Sequence, residues 1–411
     1  MTDTSAACVH RIQRFLQSPA GGATALLLAS LAGFALANSA WSDGYETLIT
    51  MPMRLPFLEQ HMPDTLTAWV SDGLMTLFFL LIILEIKKEM VSGHLSTMRQ
   101  IALPLIGALG GMIVPALTYL LVTHGHAEAF HGWAIPVATD AAFTLPVIMA
   151  LGARVAAGAR AWLMALAIFD DVLGIVVIAL FYGSALYWPA LVGVLFVTMA
   201  MIAANRLLDC RSVWVYALGC LLLWGMLLSS GLHPTLAGVI TGLCLPAQPC
   251  AKNTEQITPL EKVSSALTPF VTWLVLPLFG FMNVGVSLAG VHLGRLLAPV
   301  PLGIILGLMV GKPVGVFGAT ILSFQLRIAP APAATSVKML FGLSLLCGIG
   351  FTISLFIAGL AFQDMDTVVS AKLGIFAGSV IAALAGWCWL RCSPVTQRSQ
   401  YSANYEAMSN K

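Results

Sequence analysis

Asp140, Asp170, Asp171 and Lys312 each sit in the middle of an apolar run long enough to cross a lipid bilayer. An ionisable side chain at that depth costs about 2.5–3.5 kcal/mol or more to insert, so it is held there by a partner or by a task. Asp170 and Asp171 are neighbours in ALAIFDDVLGIVVIALFY, and at 3.6 residues per turn neighbouring side chains leave a helix about 100° apart. One can face a water-filled funnel while the other faces a neighbouring helix. Two carboxylates in a poorly solvated place repel each other, and a hard cation such as Na+ or Li+ takes the oxygen ligands that carboxylates supply. A proton and a cation would then compete for the same oxygens, which is the chemistry of exchange. A structural ion pair or a capped kink is the weaker alternative, because adjacent acids in mid-span have no inexpensive packing role.

Lys312, in LGLMVGKPVGVFG, is flanked by Gly311 and Pro313. Its natural partner is a buried aspartate, and removing one member of such a pair typically costs about 3–5 kcal/mol. A structural pair at a helix break and a lysine that gives up a proton when its acid is protonated are both open. Asp140 lies between Pro136 and Pro146 in HGWAIPVATDAAFTLPVIMALG. Proline removes a donor and clashes with the preceding turn, so a break is expected near Thr139 and Asp140. The freed backbone groups are tolerated at membrane depth only where they line a cavity or are buried in protein. Gly348-Ile349-Gly350 marks a second candidate interruption, although glycine also serves close helix packing. Interrupted spans in the two halves of a chain point to a binding site at the midplane.

Further charges lie nearer the ends of spans. LEIKKEM places Glu85, Lys88 and Glu89 on one helical face by i,i+3 and i,i+4 spacing. Most such clusters are solvated helix ends; Glu85, preceded by apolar Phe79 to Leu84, is the one expected in a funnel mouth. His233, beside Pro234, is more often a satisfied core residue than a pH sensor, and Asp72 sits near enough to the outer surface to be interfacial.

The elements that carry these residues follow from composition. Of 411 residues, 59% are apolar and 9% charged, far from the ~25% charge of soluble domains. The chain is read as an all-α polytopic membrane protein with no separate soluble domain: 1–392 a single transmembrane domain and 393–411 a disordered cytoplasmic tail. Twelve spans are expected, at about 21–40, 66–86, 101–123, 133–153, 157–182, 189–204, 212–228, 230–246, 263–287, 299–322, 337–362 and 371–390. The first is read as a retained helix, since its apolar core is too long for a cleaved leader. Assigning alternate connections to the cytoplasm leaves only Arg54, Arg295 and Lys372 outside and Lys312 in the membrane, out of 20 Lys and Arg. Basic residues concentrate on the cytoplasmic face, so both termini are placed there. The first outer loop, 41–65, is long enough for a small hairpin, with Pro52 and Pro56 restricting it to edge-type strands. The eight cysteines show no metal-ligand spacing, and neither a cofactor nor nucleic acid is implied.

The chain resembles the NhaA-type sodium/proton antiporters of bacterial inner membranes. The resemblance runs from about Gly21 to Arg391 through SPAGGATALLLASLAGFALANS, LEIKKE, GGMIVPALTYL, GWAIPVATDAAF, MALAIFDD, SGLHPTLAGVI, LPLFGFMNVGVSL, GKPVG and CGIGFTISLFIAGLAF. It implies two inverted repeats, spans three to five and ten to twelve, with crossed broken helices in spans four and eleven, in a family already counted among inverted-repeat transporters. By the same resemblance Asp171 is the principal ligand of Na+ or Li+ and of the proton, and Asp170 pairs with Lys312. Thr139 and Asp140 stand at the crossing, Asp140 offsetting the helix N-termini and Lys312 the C-termini. Glu85, Lys88, Glu89 and His233 are the implied pH-sensing and funnel group. The implied activity is electrogenic exchange of cytoplasmic Na+ or Li+ for external protons, by a transporter and not an enzyme. The first outer loop, about residues 45–58, would join two protomers as a β-hairpin.

The resemblance departs at Ser264 and Ser265, where the family usually has a Glu-His pair, at Thr268 in place of a common histidine, at Lys88 in place of a frequent arginine, and in the glycine position of DDVLGI. These departures touch the alkaline tuning and leave the ligand set intact. A sodium-coupled symporter would need polar side chains on several more spans. An intramembrane aspartyl protease would place its two acids in separate spans, and a passive channel has no need of titratable groups at a helix break.

Overall fold

A computed structural model describes residues 19–53, 63–92, 98–183, 185–247, 258–287, 293–329, 331–332 and 335–393. Among them the chain is almost entirely helical and contains no sheet. Nine helices are long and apolar enough to cross a membrane, and two bent pairs bring the number of candidate spans to eleven. In chain order these are α1 (Pro19–Ala37), α3 (Leu66–Val91), α4 (Met98–Val122), a 3₁₀ segment (Ala127–Val137) bent by 42° against α5 (Ala141–Leu151), and α6 (Ala157–Phe181). After α7 (Trp188–Arg206), α8 (Val213–Ser230) and a short α9 (Leu236–Cys244) come α10 (Pro259–Val284) and α11 (Pro299–Gln325). The second bent pair, α12 (Val337–Leu346) and α13 (Phe351–Ala361), turns by 46°, and α14 (Met365–Cys392) closes the described chain.

The apolar run at 230–246 does not become a long helix. Gly231 adopts φ +86° and ends α8, a conformation that glycine enters without steric cost. Residues through Pro234 then form a turn, and α9 has nine residues, about 14 Å at 1.5 Å per residue against a hydrocarbon core of ~30 Å.

Small residues let the helices approach closely. A Cβ on Gly110 of α4 or Gly315 of α11 would run into the other's carbonyl, as would one on Gly33 of α1 against Phe281 of α10 and one on Gly238 of α9 against Thr76 of α3. Between apolar helices in lipid, such backbone approach supplies the van der Waals contact that the hydrophobic effect does not. Prolines leave a different signature. Wide π turns at Val271–Val275 and Gly307–Gly311 enclose Trp273 and Met309, the residues four before Pro277 and Pro313, whose rings would clash with those carbonyls in a regular helix.

In the first outer loop, Ser42–Ile49 is helical (α2), not a strand of the expected hairpin. Among the described residues of this loop one antiparallel bridge joins Pro52 to Thr65, flanked by Leu66 N–H to Met51 O (3.0 Å) and Met53 N–H to Asp64 O (3.1 Å). Pro52 occupies the non-hydrogen-bonded position of this pair, where its missing N–H takes nothing from the ladder. Residues 54–58 of that expectation, the N-terminal Arg11 and Arg14, and the tail beyond Ser393 lie outside the described residues.

Candidate functional site

The two bent pairs cross at their breaks. Thr139 donates its hydroxyl to Cys347 O (2.8 Å), and Asp140 N–H donates to Ile349 O (2.6 Å). On α13, Ser354 donates to Ile135 O (2.7 Å). Asp140 is 2% exposed, and both its carboxylate oxygens are in use. One accepts from Ala142 N–H (2.9 Å) and Phe143 N–H (3.3 Å), the other from Thr352 N–H (2.9 Å) and Thr352 hydroxyl (2.6 Å). A single carboxylate therefore caps the N-termini of α5 and α13 together, where unpaired N–H groups and the helix dipoles favour negative charge. Ser379 of α14 accepts from Gly350 N–H (3.3 Å) and Phe351 N–H (3.4 Å).

The opposite helix ends receive donors. Lys312, fully buried, donates through Nζ to Val137 O, the end of the 3₁₀ segment, and to Asp170 Oδ2. Thr139 does the same with its hydroxyl for the carbonyl that follows α12. The backbone groups freed by the breaks thus find partners inside the protein, as membrane depth requires.

Asp170 and Asp171 are turned apart by the helix. Asp170 is inaccessible and faces Lys312. Asp171, 7% exposed, lines a cavity of about 640 Å³ that it shares with Asp140, Glu85, Ser265, Thr268 and Thr272. Asp171 Oδ1 has no hydrogen-bond partner within the protein. Of the two aspartates on the cavity wall, Asp140 is saturated by four donors and Asp171 retains acceptor capacity. A buried carboxylate oxygen left without a partner costs free energy, which a proton or a hard cation on that oxygen would recover.

α3 shows one face to this cavity through Phe78, Leu81, Ile82 and Glu85, the i, i+3, i+4, i+7 pattern of a single helix stripe. Lys88 and Glu89 follow in the next turn, Lys88 exposed and Glu89 half-exposed. His233 is placed elsewhere. Its Nδ1 pairs with Thr235 hydroxyl (2.7 Å), its Nε2 lies 3.7 Å from Asp72 Oδ1, and its ring meets Phe356 edge-on at 5.2 Å. Among the described residues no group of three or more His, Cys, Asp or Glu gathers as a metal site.

Several residues of the site escape a reading by charge. Thr352, Ser354 and Ser379 are uncharged; the alternation of hydroxyls after Gly350 in GFTIS hints at the first two, and nothing in the sequence marks Ser379. Lys87 counts in the sequence merely as one more cytoplasmic charge, yet its ammonium is bound to the end of α9.

The sequence has relatives among known proteins. The family model for Na+/H+ antiporter 1 matches residues 13–390. The Na(+)/H(+) antiporter NhaA of Gluconacetobacter diazotrophicus is 69% identical over 96% of this chain and 100% of its own length. That of Zymomonas mobilis is 55% identical over 92% and 97%, and that of an Escherichia coli strain 43% identical over 93% and 98%.

Proposed function

We propose, because this chain belongs to the Na+/H+ antiporter family, that it is a secondary active antiporter moving Na+ or Li+ out of the bacterial cytoplasm in exchange for external protons. The observation that carries this is Asp171: one carboxylate with a spare oxygen on the wall of a cavity, beside an aspartate already committed to Lys312. A proton and the transported cation alternate on Asp171, because occupancy by either neutralises the charge that attracts the other. Asp170 and Lys312 hold the charge balance behind it, and Thr139, Asp140 and Lys312 keep the broken helices crossed. Asp171 is the first ligand of Na+ or Li+, and Asp170, whose Oδ1 has no hydrogen-bond partner within the protein, the second.

The cycle is electrogenic and pH-regulated. Glu85, which lines the cavity, leads the pH-sensing group, with Lys88 and Glu89 in the turn that follows it and His233 outside the cavity beside Asp72. Ser265 and Thr268, which line the same cavity, offer hydroxyls that do not titrate in the physiological range. The test is proton movement in inside-out vesicles, followed with a pH-sensitive dye between about pH 6.5 and 9. Added Na+ and Li+ should each collapse a preformed proton gradient, at a rate that responds to an imposed membrane potential. Vesicles of verified protein content that answer neither cation overturn the assignment, and indifference to potential removes electrogenicity.

The architecture proposed with this function has twelve crossings, α9 with its flanking turns being the eighth, and both termini in the cytoplasm. Bends of 42° and 46° in the fourth and eleventh crossings support two inverted repeats, crossings three to five and ten to twelve. The first outer loop joins two protomers into a homodimer in the inner membrane. Reporter fusions at the two ends should both read cytoplasmic, whereas ends on opposite faces mean an odd number of crossings. A monomeric mass in mild detergent counts against the dimer.

A further inference from the structure

We infer that Lys87 is a positioning residue for ion access, clamping the inner end of α3 so that Glu85 faces the cavity; this rests on the proposed place of Glu85 at the cavity mouth. A helix leaves its last carbonyls without intrahelical partners. At the end of α9, Thr241 O accepts from Leu245 N–H (3.0 Å) and Cys244 O from Asn205 Nδ2 of α7 (2.8 Å). The remaining acceptors, Gly242 O (3.3 Å), Leu243 O (2.6 Å) and Leu245 O (2.5 Å), all take Lys87 Nζ. An ammonium has three donors and no acceptor, so the match is complete, and a cation is favoured at a helix C-terminus.

The same contact fixes the rotation of α3. Thr76, Leu80 and Ile83 meet the glycines of α9, Gly238 against Thr76 and Leu80, Gly242 against Leu80 and Ile83. With Lys87 they make one stripe at i, i+4, i+7 and i+11. Phe78, Leu81, Ile82 and Glu85 form the other stripe, toward the cavity and Asp171. Glu85 and Lys87 are two residues, hence about 200°, apart. Close glycine packing holds the stripe as far as Ile83; beyond it Leu84 shares a buried apolar cluster with Cys244 and Leu245, and Lys87 supplies the hydrogen bonds between the last turns of α3 and α9. Without it the carbonyls at the end of α9 lose their donor and the turn carrying Glu85 loses its hydrogen-bonded register against α9.

The experiment compares Na+-driven proton movement in wild-type vesicles with Lys87→Met, Lys87→Arg, Glu85→Gln, Asn205→Leu and the Glu85→Gln/Lys87→Met double variant, with KM for Na+ and maximal rate followed from about pH 6.5 to 9. Lys87→Met should raise KM roughly 3- to 10-fold and displace the pH profile, leave the maximal rate within about twofold, and add nothing to Glu85→Gln, because residues acting through one another are not additive. Lys87→Arg, which can still donate to the carbonyls, should restore both readouts. Asn205→Leu removes a cap from α9 without touching α3 and should keep the wild-type pH profile. An unchanged KM and profile in Lys87→Met, a full additional effect on top of Glu85→Gln, or the same displacement in Asn205→Leu overturns the inference. Should Lys87→Met not accumulate, the Arg variant and Asn205→Leu still decide it: an Arg profile displaced from wild type overturns it. If Glu85→Gln itself matches wild type, the role of Glu85 fails and the inference with it; altered Glu85→Gln beside unaltered Lys87→Met sinks the inference alone.

Discussion

Asp171→Asn is expected to abolish Na+-driven proton movement, a fall of at least about 100-fold, or ~2.8 kcal/mol. The substitution keeps the shape of the side chain and removes both of its tasks. An amide takes up no proton in the accessible pH range, and its neutral oxygen is a weak substitute for a carboxylate toward Na+. Asp140 cannot take over, because its two oxygens already serve the N-termini of α5 and α13. Asp170, its Oδ2 on Lys312, is inaccessible and off the cavity wall, so its unpartnered Oδ1 does not replace the Asp171 carboxylate. Asp171 Oδ1 makes no hydrogen bond within the protein, so the variant should accumulate and melt near the wild-type temperature. Vesicles containing it at wild-type amounts should show no response to Na+ or Li+ between about pH 6.5 and 9. A response within about tenfold of wild type would move the binding site to another residue.

Lys312→Met is expected to have the largest effect on stability. The methionine fills much of the same volume but leaves Asp170 and Val137 O buried without their donor. Removing one member of a fully buried pair costs about 3–5 kcal/mol, whereas replacing both members with neutral groups is often close to neutral. The apparent melting temperature in detergent should therefore fall by roughly 4–6 °C in Lys312→Met. It should recover by at least half when Asp170→Asn is added. Recovery identifies the uncompensated carboxylate as the source of the loss. A double variant as unstable as the single one would instead assign the loss to Val137 O and the helix crossing.

Much of the arrangement was legible because lipid allows so few solutions. Apolar runs longer than a bilayer is thick must be helices, and prolines on both sides of Asp140 marked one interruption correctly. The second, at Gly348 to Gly350, was legible only as an even choice between a break and close packing, and the bend between α12 and α13 decided it. Other segments were less legible. The run at 230–246 has the composition of a span, yet Gly231 turns the chain and leaves α9 only nine residues. Residues 45–49 were expected in a hairpin and lie in a helix. His233, grouped with the funnel by resemblance, faces Asp72 instead.

By itself the sequence determined that this chain is a bundle of membrane helices with acids and a lysine kept at depth, since continuous apolar runs of about 20 residues suit helices and not the short alternating strands of a barrel, and no ionisable group stays there without cause. It also determined that Asp170 and Asp171 must point in different directions, because helix geometry is local. Which of the two meets Lys312 and which meets the cavity was decided by the tertiary structure alone. That choice depends on how α6 is rotated against α11, set by packing between residues about 140 positions apart. The same holds for Asp140, whose second cap, Thr352, lies 212 residues away, and for Lys87, whose partners on α9 are more than 150 residues distant. Spacing along a chain records which side chains share a helix face, and only the packing of helices records what that face meets.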